Sequence, residues 1–288
     1  MHPIGVTPPQ PMLWQGPGRF VPLGRAAGPS PQAADSWLVD EGRCRGIAEH
    51  RARFVGSCDR PASQTTRFLD DVLAALPRSG RWFPRVDCTD GELTYWLRPA
   101  PPRLDEVVMG LPGVVDPRSR PEVKGPDLAR LGELRRQAGR VGAGEALLVS
   151  GDGDVLEGAL STLLWWRGEV LCCPPEGAGL LPGVTRRLLL RLAASWAQPV
   201  RFETVAPADL DGLEVWSVSA LHGIRAVVGW CGPVGGRAAT VHAEPTAPAR
   251  PSAHAELVMH AELVMHAGPA THVAEWQAAL LALAEPLP

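Results

Sequence analysis

The sequence predicts an α+β protein of two domains, a small one over residues 1–115 and a larger one over 116–288. Three observations lead there. The chain's 288 residues exceed one ordinary domain, for which roughly 150 residues is a fair prior. Strand-like alternation and helix-like spacing both occur within each half. Between the halves the proline- and glycine-bearing stretch PGVVDPRSRP, at 112–121, interrupts the pattern and reads as a linker.

From the N-terminus, MLWQ and RFVPL read as a hairpin over 12–23, and EHRARFVGSC at 49–58 reads as a helix. TTRFLDDVLAAL gives a second helix, and RWFPRVDC and ELTYWLRP are strands split by a TDG turn. The second half opens with VKGPDLARLGELRRQAGRVGAG, where Leu128, Leu131 and Leu134 line one helical face before a glycine stop. Sheet follows in EALLVS, a GDGD turn, VLEGALSTLLWW, an RGE turn and VLCC. LPGVTRRLLLRLAASWA starts a helix near Thr185, LEVWSVS and AVVGW add two strands, and EWQAALLALAEPL is a closing helix that packs back on the body. Residues 232–272 read as a low-complexity insert or linker.

Composition excludes several functions. Hydrophobic residues make up 45% of the chain, enough for a core, while a formal net charge of -3 offers no basic stripe for a phosphate backbone, so no nucleic-acid partner is expected. No run of apolar residues is long enough to span a bilayer, and MHPIGVTPPQP lacks the basic and apolar regions of a secretion signal. A cytoplasmic location and no membrane partner are therefore expected. Six cysteines show neither CxxC nor metal-finger spacing and read as ordinary reduced residues. His242, His254, His260, His266 and His272 recur at spacings of twelve or six, partly through the tandem HAELVMHAELVMH. Six residues advance a helix by about 600°, so successive histidines face different ways, and no metal site is expected.

The basic residues are the unusual part. Of the 28 lysines and arginines, 27 are arginine and one, Lys124, is lysine. A coding bias that replaces surface lysine by arginine leaves solvated charge intact. A guanidinium stays protonated at any working pH, however, whereas a buried amine can shed its proton and act as a nucleophile. Lys124 is therefore a candidate for chemistry that arginine cannot perform.

Four motifs stand in order: EHRAR, the lone lysine of KGPDL, the acid of VLEG and the helix start LLPGVTR, followed by VSALHGIRAV. Together they resemble the class IV aminotransferases, the fold-type IV pyridoxal-phosphate enzymes, over about Met12 to Val228. The resemblance implies that family's two-domain fold, with pyridoxal 5'-phosphate in the interdomain cleft, and a homodimer. It implies a Schiff base on Lys124, which would also move the Cα proton, and a Glu157 that pairs with the pyridinium nitrogen. Arg53 would grip the cofactor phosphate. Gly183, Val184 and Thr185 would offer it a helix N-terminus, and Ser219 and Ala220 further contacts. Asp35 and Ser36 fall where the family has an acid and a hydroxyl, and Ser36 would handle a proton in the lyases.

The chain also departs from the family pattern. The acidic-glycine run before the first-domain strand is missing, Ala220 lacks the usual hydroxyl, and Thr162, Leu164 and Cys173 replace the usual asparagine, aromatic and threonine. The resemblance implies an aminodeoxychorismate lyase-like activity, eliminating pyruvate to leave p-aminobenzoate. The ending SALHGIRAV and the gapless match of GRCRGIAEHRAR favour it. The alternatives are a transaminase acting on a small amino acid and a keto acid, and a catalytically degenerate member acting as a binding protein.

Overall fold

The computed structural model describes residues 10–24, 30–111, 115–177, 179–232 and 263–288. The chain forms two compact units. One comprises Met1–Pro102, Val123–Pro126 and Leu283–Pro288, and the other comprises Arg103–Glu122 and Asp127–Ala282.

The first unit contains β1 (Met12–Trp14), β2 (Phe20–Pro22), β3 (Ala33–Ser36), β4 (Val39–Asp40) and β5 (Arg43–Arg45). Two helices follow, α1 (Ile47–Ser57) and α2 (Ala62–Ala75), then β6 (Arg81–Trp82), β7 (Arg85–Thr89) and β8 (Glu92–Trp96). β2-β1-β8-β7-β3 form one antiparallel sheet. Phe68, Leu69, Val72 and Leu73 recur on one face of α2 and are buried with Trp37, Phe54 and Val86 in the unit's core. The predicted hairpin and both predicted helices are present.

The second unit opens on β9 (Glu106–Gly110) and continues through α3 (Leu128–Gly139), β10 (Glu145–Val149), β11 (Val155–Gly158), β12 (Thr162–Arg167) and β13 (Val170–Cys173). Beyond these lie α4 (Val184–Ser195), β14 (Val200–Phe202), β15 (Val215–Ser219), β16 (Gly223–Cys231), β17 (Leu263–Met265) and α5 (Val273–Ala282). The strands join in one sheet, ordered β11-β10-β9-β16-β15-β12-β13-β14, with β17 also on β16. Trp165, Trp230, Met109 and Leu147 fill one core of this unit. Leu131, Leu134 and Ala138 of α3 fill another, so two of the three spaced leucines mark the buried face, while Leu128 at the helix start is only partly buried.

Several expectations need correction. VLEGALSTLLWW is two strands, because the backbone reverses at Gly158, whose N–H donates to the Ser161 carbonyl at 2.8 Å. A side chain there would collide with Ser161 Oγ, so the glycine after Glu157 is what permits the turn. The helix read from VKGPDL begins only at Leu128, leaving Lys124 in the preceding turn. β9 and β14 were not anticipated, and the tail beyond α5 adds β18 (Ala284–Pro286), an antiparallel partner of β5.

Of the expected insert, 233–262 lies outside the described residues, and with it His242, His254 and His260. The second HAELVM copy supplies β17, which pairs with β16 and so is strand rather than linker. His272 stacks on Trp166, with 3.7 Å between ring centroids, and its Nδ1 lies 2.9 Å from Glu214 Oε2. Among the described residues no helix is long and apolar enough to cross a membrane. No group of three His, Cys, Asp or Glu residues among them could hold a metal ion.

Candidate active site

Lys124 is fixed by its backbone before its side chain is considered. Its carbonyl accepts the Ala34 N–H of β3 at 2.6 Å, and Gly125 follows at φ +148°. A Cβ at Gly125 would stand 2.8 Å from the Pro31 carbonyl oxygen and 2.9 Å from Ala33 Cα. Only glycine lets the turn press this closely on β3. The partly buried lysine thereby comes under the charges of a polar cluster built on β3, α1 and the strands around them. Burial drives its amine pKa down, Arg53, Arg85 and Arg98 push the same way and Asp35 opposes, leaving it at about 8. Such an amine is neutral in about one molecule in ten at pH 7, far more often than an unperturbed lysine.

Asp35 is the hub of that cluster and is fully buried. Arg53 grips it through two nitrogens, Nε to Oδ2 at 2.9 Å and Nη2 to Oδ1 at 2.8 Å. His50 Nδ1 lies 2.9 Å from Oδ1, and the Ser36 N–H donates to the same oxygen at 2.7 Å. Burial opposes the carboxylate's charge, yet Arg53 and His50 hold its pKa well below the usual range. The same burial lowers the pKa of His50 against the pull of Asp35. Ser36 Oγ accepts from Arg98 Nη2 at 3.3 Å, and Arg85 Nε pairs with Asp87 at 2.7 Å.

The second unit carries the other predicted acid. Glu157 sits on β11 and is 3% exposed. It accepts the Leu181 N–H at 2.9 Å and pairs with Arg118. Arg118 also donates to Asp116, from Nε at 2.9 Å and from Nη2 at 2.8 Å, so one guanidinium serves two carboxylates. Burial raises the Glu157 pKa to about 6, against the lowering effect of Arg118 and the Leu181 N–H.

At the start of α4, Gly183 is the N-cap residue, with no side chain capping the helix, and Val184 and Thr185 are buried in its first turn. Uncapped N–H groups in a first turn, with the helix dipole, suit an anion. Thr162 Oγ1 would be 2.7 Å from a Cβ at Gly183, so this departure packs under the helix start and leaves no space for a side chain there. Cys173 receives Arg186 Nη2 at 3.5 Å, and Leu164 is buried core. Ser219 ends β15, its Oγ accepting the His222 N–H at 3.3 Å, and Ala220 follows in the turn.

The structure thus groups Lys124, Asp35, Ser36 and Arg53 in one unit, and places Glu157, Gly183, Val184, Thr185, Ser219 and Ala220 in the other. Sequence reading missed His50, Arg85, Arg98, Arg118 and Asp116 as site residues. His50 had a signal, since it stands three residues before Arg53 and so shares a helical face. The others were hidden among the arginines.

The donor set fits pyridoxal phosphate. A lowered-pKa amine can attack an aldehyde, a buried carboxylate can face a pyridinium nitrogen, and an uncapped helix start can take a phosphate. A sequence model of the class IV amino-transferases matches residues 32–230. No curated protein sequence matches the chain. Among solved structures, the branched-chain amino acid aminotransferase of Escherichia coli aligns at a TM-score of 0.69 and 15% identity, over 96% of this chain and 95% of that one. An aminotransferase from Brucella abortus bound to pyridoxal phosphate aligns at 0.64 and 16%, over 77% and 91%. A protein from Legionella pneumophila assigned as a 4-amino-4-deoxychorismate lyase aligns at 0.60 and 16%, over 72% and 88%. These likenesses show the fold, α+β of fold type IV. The match over 32–230 shows more: the chain belongs to the class IV aminotransferase family and is a pyridoxal-phosphate-dependent enzyme.

Proposed function

We propose that the chain acts as an aminodeoxychorismate lyase-like enzyme, with its cofactor held covalently by Lys124. The observation that carries the reading is the Lys124 amine, brought to a pKa of about 8 by burial and three arginines. Bound pyridoxal phosphate supplies an electron-accepting ring that stabilises negative charge at a substrate's Cα. Lys124 Nζ, neutral once it has released its proton, takes the proton from Cα. Ser36 Oγ, on the strand that anchors the lysine, delivers a proton to the departing group. Glu157 would pair with the ring nitrogen; its pKa of about 6 leaves it mostly anionic at neutral pH, which would keep that nitrogen protonated. The first turn of α4 would hold the phosphate, Ser219 and Ala220 would add contacts to it, and Arg53 keeps the phosphate-binding role that the family resemblance implies. The carboxylate of the substrate meets Arg85 and Arg98.

A second reading, transamination of a small amino acid with a keto acid, is supported by the same two arginines, which suit any α-carboxylate. We place the protein in the cytoplasm as a homodimer. The two activities separate in one assay with loaded enzyme and aminodeoxychorismate. Pyruvate and p-aminobenzoate formed without a keto acid support the lyase. No release without one, combined with amino transfer between amino- and keto-acid pairs, replaces the first reading by the second.

A further inference from the structure

The second unit holds a buried ion pair that the proposed chemistry does not use. Glu145 opens β10 and Arg225 lies on β16, 1% and 3% exposed, with Glu145 Oε2 3.4 Å from Arg225 Nη2. The same Nη2 donates to Ser217 Oγ of β15 at 3.0 Å. Arg225 Nε is buried without a hydrogen-bond partner among the described residues, so the guanidinium's charge rests on Glu145. From α3, Arg135 brings its Nε to 3.6 Å from Glu145 Oε1.

The other bonds of Glu145 go to the chain reversal that follows Glu157. Oε1 accepts the Leu160 N–H at 3.4 Å and the Ala146 N–H at 3.1 Å, and Oε2 accepts the Ser161 hydroxyl at 3.3 Å. The reversal also hangs on β10 through its backbone, where the Ala146 carbonyl accepts the Ala159 N–H at 2.8 Å. Gly158 presses on the same side chain, since a Cβ there would stand 3.1 Å from Glu145 Cγ. A buried ion pair adds little net stability over apolar side chains of the same volume, because the cost of removing both charges from water offsets their attraction. What separates this pair from an apolar contact is direction: Arg225 and Ser217 orient the carboxylate, and the carboxylate holds Leu160 and Ser161.

We propose that Glu145, oriented by Arg225, is a positioning residue for Glu157: it pins the reversal Gly158–Ser161, and so keeps the neighbouring Glu157 carboxylate buried against Arg118 and the Leu181 N–H. The benefit to catalysis rests on the function proposed above, in which Glu157 pairs with the ring nitrogen. Burial is the largest influence on Glu157 and the one that raises its pKa, with Arg118 and the Leu181 N–H opposing it and Asp116 adding to it. Loosening the reversal admits water to Glu157, and the raised value falls.

The test uses the full chain, before any cofactor is added, and follows the Glu157 titration by carboxyl-resolved NMR. Glu145→Gln keeps the size of the side chain and removes its charge. The Glu157 midpoint should drop by about one pH unit towards the ordinary glutamate range, and the Leu160 amide should exchange with deuterium about tenfold faster. Ser161→Ala takes one hydrogen bond from the reversal and changes no charge. It should move the midpoint the same way by a smaller amount, and it decides the matter if Glu145→Gln does not fold. A midpoint unmoved by Ser161→Ala overturns the positioning role: a drop confined to Glu145→Gln is then the direct effect of a lost neighbouring charge. The titration needs neither cofactor nor turnover, so an absence of lyase activity would overturn the proposed function and leave this result standing.

Discussion

Asp35 and Glu157 are both buried carboxylates with arginine partners, yet burial and charge move them in opposite directions. Asp35 has Arg53 through two nitrogens, His50 and the Ser36 N–H, and its pKa falls well below the ordinary range. Glu157 has Arg118 and the Leu181 N–H, but Arg118 gives Asp116 two of its nitrogens, and the Glu157 pKa rises to about 6. Burial is nearly the same at both sites, 0% and 3% exposed. The count of donors committed to each carboxylate decides the sign. Asp35 is saturated and serves as a fixed counter-charge, whereas Glu157 retains capacity for another cationic N–H.

Four substitutions break or sharpen that contrast. The largest effect is expected from Lys124→Ala, which removes the amine that Asp35 helps keep charged; turnover should fall on the order of 10⁴-fold, and borohydride reduction should no longer fix the cofactor to that peptide. Retained turnover would remove the lysine from the chemistry.

Asp35→Asn should cost about 3–5 kcal/mol in urea unfolding, because Arg53 is left buried without its counter-charge. The pH dependence fixes the sign. Asp35 has a lowered folded pKa, so its stabilisation is present above an unfolded value of about 3.9 and is lost as pH falls towards the folded one. The stability gap between wild type and variant should therefore close on acidification. A gap independent of pH would mean the loss is packing, not charge.

Gly125→Ala tests the anchor, since a methyl group there meets Pro31 and Ala33 backbone at under 3 Å. A loss of about 1–3 kcal/mol is expected, with slower cofactor capture followed by absorbance. Unchanged capture would show that the close approach is not what positions the lysine. Asp116→Asn should have the smallest effect. It frees Arg118 for Glu157, whose pKa should drop back towards the ordinary glutamate range in a carboxyl-resolved NMR titration. No movement would mean that sharing is not the cause of the raised value.

Much of the first unit was legible because its signals are local. The apolar spacing of α2, the TDG turn between β7 and β8 and the hairpin of β1 and β2 each declare themselves within a dozen residues. Lys124, Arg53 and Glu157 were legible as a motif order, not as geometry. What the sequence hid was long-range or degenerate. Arg85, Arg98 and Arg118 look like any of 27 arginines until the fold half-buries them and gives them partners in Asp87, Ser36 and Asp116. The reversal inside VLEGALSTLLWW rests on a single glycine in an apolar run, and the short edge strands β14 and β18 depend on distant partners. The motif order offered Arg53 as a phosphate residue but gave no sign of its bidentate hold on Asp35, a partnership between residues eighteen apart.

The segment Val123–Pro126 belongs with the first unit although both its flanks belong to the second. No single cut in the gene can therefore separate two self-sufficient halves. A fragment ending at Pro102 would carry Asp35, His50 and Arg53 but no lysine, and one starting at Arg103 would carry the lysine without the strand that holds its backbone. Exchange of one unit with a relative by simple recombination would separate the amine from its setting, so the two stretches of chain must be inherited together.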